Sequence, residues 1–184
     1  MSSEAFVLSA VRNPEPAEAL RLAVERAEVN PSRIQDALFG FERSFTAPGL
    51  QDTARKAGLT CAAVSVSSSM RAIFFGAQSI LGDGIDLIAV AGVDGRGTCA
   101  LVLAGPEAIG RWNLVPRARL AARSLQGSEA ALRQAGIKSE ELAVVKQSES
   151  GARLLCELLD ELETRQARWG MVVVGDLALL VERL

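Results

Sequence analysis

The chain has 184 residues, 49% of them apolar, and a formal net charge of −2 with no histidine. That length suits one compact domain, residues 1–184, whose core needs neither disulfides nor metals. The near-neutral charge argues against nucleic acid, the lack of any apolar run of about 20 residues against a membrane span, and the lack of histidine against a transition-metal site. The opening MSSEAFVLSA has no basic segment ahead of a long apolar one, so a cytoplasmic location is expected.

In chain order, residues 5–11 are a β-like apolar run that stops at Arg12-Asn13-Pro14. Pro16 can open a helix, where its missing N–H would be unpaired anyway, and over 17–29 Leu20, Val24 and Ala27 share one helical face. A strand is predicted at 37–41, a loop at 45–50 around Pro48-Gly49, and a short helix at 50–57 stopped by Gly58. Next come a strand of Ser and Val at 64–68 and a helix at 70–81 with Met70, Ile73, Ala77 and Ile80 inward. Residues 85–93 and 98–104 are almost continuously apolar, as in strands buried on both faces.

Beyond Gly105-Pro106 the pattern repeats in shorter form. Helices are predicted at 107–112, 129–135 and 152–168, the last with Leu155, Leu158, Leu159 and Leu162 inward. Strands are predicted at 115–124, 143–146, 170–174 and 177–181, the final two joined at Gly175-Asp176. A long helix followed by a strand pair thus occurs twice, at 70–104 and 152–184, which suggests an internal duplication. Alternating strands and helices predict an α/β layered fold, with a first half of about 1–106 and a shortened second half of about 107–184. Cys61, Cys99 and Cys156 are scattered at no metal-like spacing, and reduced, buried thiols are expected.

The stretch 62–95, AAVSVSSSMRAIFFGAQSILGDGIDLIAVAGVDG, resembles the nucleophile segment of the thiolase superfamily. In it Ser67-Ser68-Ser69, Ala72-Ile73 and Ala77-Gln78-Ser79-Ile80 are similar to the family's small residues, pair and helical run. The likeness extends to FVLSAVRNP at 6–14, to Asn30-Pro31, to Asp36-Ala37-Leu38-Phe39-Gly40, to Val115-Pro116-Arg117-Ala118-Arg119 and to Gly151-Ala152-Arg153. It implies a reduced thiolase-like fold, layered helix–sheet–helix–sheet–helix. It also implies a catalytic cysteine at the position of Val66, which has no nucleophile. The loop domain that would cover substrate and coenzyme A is replaced by Gly95-Arg96-Gly97. The oxyanion-hole turn would precede Gly151, where Ser148-Glu149-Ser150 stands, and the late acid–base cysteine would fall near Val173-Val174-Gly175.

Thiolase chemistry needs a thiolate, its base, an oxyanion hole and a second acid–base, and none of the four positions is matched. No catalytic residue is therefore assigned. Ser67, Ser68 and Ser69 suit a helix N-cap and a tight turn better than nucleophilic attack, because a base would have to come from Lys56, Lys138, Lys146 or a carboxylate. The expectation is a catalytically silent thiolase-like protein, either a homodimer or a non-catalytic subunit of a full-length thiolase. The resemblance implies pairing across a two-fold axis through Ala63, Val64, Ser65, Val66, Ser67 and Ser68. Two alternatives stay open: an acyltransferase or thioesterase with a relocated nucleophile at Ser67, Ser68 or Cys61, and a small-molecule or acyl-CoA binder. No cofactor and no metal are expected, and no motif for adenine or pyrophosphate supports coenzyme A.

Overall fold

The computed structural model describes residues 4–41, 47–60, 63–67, 70–94, 97–147, 151–174 and 177–184. Strand β1 (Glu4–Asn13) leads into helix α1 (Pro16–Ala27), a 3-10 turn (Pro31–Arg33), β2 (Asp36–Phe41), α2 (Ala47–Lys56), β3 (Ala63–Ser67), α3 (Met70–Gly82), β4 (Leu87–Asp94) and β5 (Gly97–Ala104). After the short α4 (Pro106–Arg111) come β6 (Ala118–Ser124), α5 (Leu125–Gln134), a second 3-10 turn (Ser139–Glu141), β7 (Leu142–Gln147), α6 (Gly151–Arg165), β8 (Trp169–Val174) and β9 (Leu177–Arg183). Among the described residues the strands form one sheet in the order β3-β2-β4-β5-β1-β6-β9-β8-β7.

That order makes the duplication explicit. Reading outward from the centre, β1-β5-β4-β2 corresponds to β6-β9-β8-β7, and the senses agree pair by pair: two antiparallel ladders, then a parallel one. The intervening elements correspond too, α1 with α5, each 3-10 turn with the other, and α3 with α6. The second half has no counterpart of α2 and β3, and this is how it is shortened. The halves meet where β1 pairs antiparallel with β6 over four residue pairs, from Glu4↔Ala121 to Val7↔Ala118.

Local chemistry accounts for the element ends. Pro16 opens α1, Asn13 Oδ1 accepts a hydrogen bond from the Glu15 N–H at 2.9 Å, and Glu28 ends the helix in the left-handed region. Ala19, Leu20, Ala23 and Val24 form the buried face of α1, with Ala27 partly buried beside them. Three helices depart from the sequence reading. α2 starts at Ala47, three residues early, within the stretch 45–50 where a loop is predicted. α5 starts at Leu125, four residues early, because the Ser124 hydroxyl caps it by accepting from Gly127 N–H. α6 stops at Arg165, three residues early, where Gln166 takes a left-handed φ of 56°.

Side-chain alternation on the strands sets the layers. The inner face carries Val7, Leu38, Ile88, Val90, Leu101 and Leu103 from the first half and Leu120, Val172, Leu179 and Val181 from the second. Both sets pack on α3, through Ile73, Phe74, Ala77 and Leu81, and on α6, through Leu155, Leu158, Leu159 and Leu162. α6 touches β1, β4 and β5 as well as β7, β8 and β9, so it lies between the two half-sheets. α1, α2 and α4 cover the outer face of the first half, and α5 covers that of the second. The layering is helix–sheet–helix–sheet–helix, as the resemblance implied.

One expectation is overturned. Cys99 and Cys156 are joined by a disulfide across the central layer, with Cα atoms 6.6 Å apart, instead of remaining reduced thiols. Each is only 2% exposed, because the inner face of β5 meets α6. Cys61 lies outside the described residues.

Candidate functional site

β3 runs parallel to β2 with Phe39 beside Val66 and Gly40 beside Ser67, and α3 begins at Met70. Val66 is therefore the penultimate residue of the strand and Ser67 its last. Parallel β2, β3 and β4 end together, at Phe41, Ser67 and Asp94, on the edge where α/β folds gather functional groups. Ser68, Ser69 and residues 95–96 fall outside the described residues, as do 148–150 ahead of α6 and 175–176 between β8 and β9. In place of the late acid–base cysteine, Val173 is buried with Met171, Ala178 and Leu125 in an apolar cluster. A strand interior of that kind has no proton to exchange.

The described side chains bring no base to this edge. Lys56, at the end of α2, pairs with Asp52 at 3.1 Å and is mostly exposed. Among the described residues no three metal-ligating side chains gather. Glu18 has a lowered pKa, held down chiefly by its hydrogen bond from Arg21, but both belong to an exposed i,i+3 pair on α1. Sequence reasoning missed one polar group near the edge: the Thr98 hydroxyl is buried with no hydrogen-bond partner among the described residues. A lone Thr in an apolar run carries no signal that would reveal it.

Two cavities lie among the described residues. One, of about 230 Å³, sits between the C-terminal end of α3 and α4, lined by Leu81, Gly84, Ile85, Asp86, Pro106 and Glu107. It lies at the far end of a 13-residue helix from Met70, roughly 18 Å along the axis. The other, of about 150 Å³, lies under α5, lined by Arg119, Arg123, Trp169 and Glu182 among others. Glu182 there accepts two hydrogen bonds from Arg168, at 3.0 and 2.6 Å.

The architecture can now be compared with solved structures. Human mitochondrial 3-ketoacyl-CoA thiolase in complex with CoA matches with a TM-score of 0.77 at 11% identity, over 100% of this chain and 99% of that one. The Acat5 thiolase of Ascaris suum in complex with coenzyme A matches with a TM-score of 0.76 at 12% identity, over 98% and 100% of the two chains. The fold is thiolase-like. A second structure of the human mitochondrial enzyme agrees, with a TM-score of 0.75 at 11% identity over 98% and 99%. No family model and no curated protein matches the sequence.

The two cavities among the described residues of this thiolase-like chain are small. Both are smaller than the roughly 300 Å³ at which ligand pockets usually begin. The larger one presents the carboxylates of Asp86 and Glu107, which would repel a pyrophosphate. No helix among the described residues is long and apolar enough to cross a membrane.

Proposed function

We propose that the chain is a catalytically silent thiolase-like protein that works by association, with β3 as its pairing strand. The observation that carries this reading is the position of β3, Ala63–Ser67, at the end of the sheet, with β2 on one edge and, among the described residues, no strand on the other. An apolar end strand of this kind offers unpaired backbone N–H and C=O groups to a second chain. Pairing with its own copy across a two-fold axis closes on itself and gives a dimer, the commonest closed symmetry. The lack of histidine and the valine at the nucleophile position support the silent half of the reading. Whether the second chain is a copy or a full-length thiolase is decided by the experiment.

Consecutive N–H groups in a strand point to opposite edges, so one of Ser65→Pro and Val66→Pro removes an outward donor and leaves the β2 ladder intact. The expected result is a dimer by native mass spectrometry that one of these variants converts to a folded monomer. A wild-type monomer at high concentration, alone and with an active thiolase added, would overturn association. Thiolysis of an acyl-CoA above background, lost on mutating Ser67, Ser68 or Cys61, would instead support relocated catalysis. A melting temperature raised by coenzyme A would favour a ligand-binding protein.

A further inference from the structure

The two halves of the molecule are held by unequal joints. Within the halves, the antiparallel ladders run over six to eight residue pairs, eight in β4–β5 and six in β8–β9. Between the halves the β1–β6 ladder has four. The rest of the joint includes α6, whose inward leucines pack on first-half strands, the packing of α3 on β6 with a hydrogen bond from Gln78 to the Ala122 carbonyl at 3.2 Å, and ion pairs from Arg12 to Asp160 and Glu157 at 3.2 and 3.8 Å and from Arg119 to Glu4 at 3.7 Å. The Arg12 side chain is half exposed, and such surface pairs add little. The Cys99–Cys156 bond spans this joint, tying β5 of the first half to α6 of the second.

We propose that this disulfide is a redox clasp between the halves, opened by thiol–disulfide exchange with a dithiol reductant. One thiolate of the reductant attacks a sulfur of the pair and forms a mixed disulfide, releasing the other cysteine. The reductant's second thiolate then attacks the reductant's own sulfur in the mixed disulfide, expelling the bound protein cysteine and leaving as an oxidised disulfide, while Cys99 and Cys156 together take up two electrons and two protons. A Cα separation of 6.6 Å is at the wide end of the range that disulfides span, so rotating either side chain about χ1 accommodates two thiols on nearly the same backbone. Both redox states are therefore foldable, which a switch requires. Both residues are 2% exposed, so the reductant reaches them only when α6 lifts from the first half-sheet. Reduction leaves α6 held to the first half by apolar contact and the exposed Arg12 ion pairs. The bond closes a loop of 57 residues, and losing it raises the population of the open state on the order of a hundredfold.

The test uses the intact chain. Protein purified without reductant is denatured in iodoacetamide and weighed, and hydrogen exchange is then followed with and without a small dithiol. One alkylated cysteine, Cys61, is expected before reduction and three after it. Exchange in 151–165 and 97–104 should accelerate on reduction, while Cys99→Ala/Cys156→Ala exchanges fast in both conditions. Three alkylated cysteines in the unreduced protein would overturn the proposal. So would exchange in those segments that reduction leaves unchanged.

Discussion

Gly170 offers a sharp test of the central layer. It faces inward on β8, and a Cβ added there would lie 2.6 Å from Leu158 Cδ1, 3.1 Å from Cδ2 and 3.2 Å from Cγ. Carbon atoms in contact prefer about 3.5–4.0 Å, so a methyl group demands roughly 1 Å of movement. Leu158 is fully buried between α6 and the sheet, where close packing leaves little freedom to turn away. Overpacking of this order costs about 1–3 kcal/mol, offset by about 0.4–1 kcal/mol because alanine restricts the unfolded chain more than glycine. Gly170→Ala should therefore destabilise by about 1–2 kcal/mol, a fall in Tm of about 2–8 °C for a chain of this size. Urea unfolding followed by far-UV circular dichroism reads this as a lower midpoint at unchanged slope. Leu158→Ala alone should cost about 2–5 kcal/mol through its cavity, but the new methyl partly fills that cavity, so the double variant should be more stable than the sum by about 1 kcal/mol. A Gly170→Ala protein as stable as wild type, or a double variant that is additive, would refute the packing described.

Three further outcomes follow from side-chain contacts. Ser9→Ala removes a buried hydrogen bond to the Ala23 carbonyl, 2.6 Å long, that pins α1 to β1; a loss of about 1 kcal/mol is expected in the same urea assay, and no loss would contradict it. Arg168→Ala takes away both hydrogen bonds to the buried Glu182 carboxylate and leaves it with Arg119 at 3.5 Å; a cost of about 1–3 kcal/mol is expected, with Arg168→Lys in between. Arg21→Ala should raise the pKa of Glu18 towards the ordinary carboxylate value in an NMR titration, since the hydrogen bond from Arg21 is the main cause of its depression. The sign is that of a lowered carboxyl: the pair stabilises above the unfolded pKa, and the contribution is lost as pH falls through the lower folded value, a window the variant should lack. An unmoved Glu18 titration would reject the assignment.

Periodic signals were the legible part of the fold. The buried runs of β4 and β5 and the leucine face of α6 can be read from residue order because burial on both faces, or on one stripe, writes itself into consecutive residues. The sheet order could not be read, since β1 pairs with β5 and β6 across some 90 residues or more and no local pattern encodes that choice. The start of α5 was missed because Ser124 serves both as the last residue of β6 and as the cap of the helix. Cys99 and Cys156 each stand among apolar neighbours, so each resembles a small hydrophobe until the tertiary fold brings them together. At the candidate site, Val66 and Ser67 take the predicted strand positions, and Ser68 and Cys61 lie outside the described residues.

The central place of β1 also bears on the order of assembly. Residues 4–13 are made well before their partners β5 and β6, which begin only at residues 97 and 118. At about 5–20 residues per second, the strand that will sit in the middle of the sheet waits roughly 5–20 s for its first neighbour. Its apolar side chains, Val7 on one face and Leu8 and Val11 on the other, have in that interval no partner strand beside them and only helices such as α1 and α3 to lie against. A circular permutant opened within α4, so that β6 to β9 are made ahead of β1, would shorten that delay and should suffer less aggregation during synthesis.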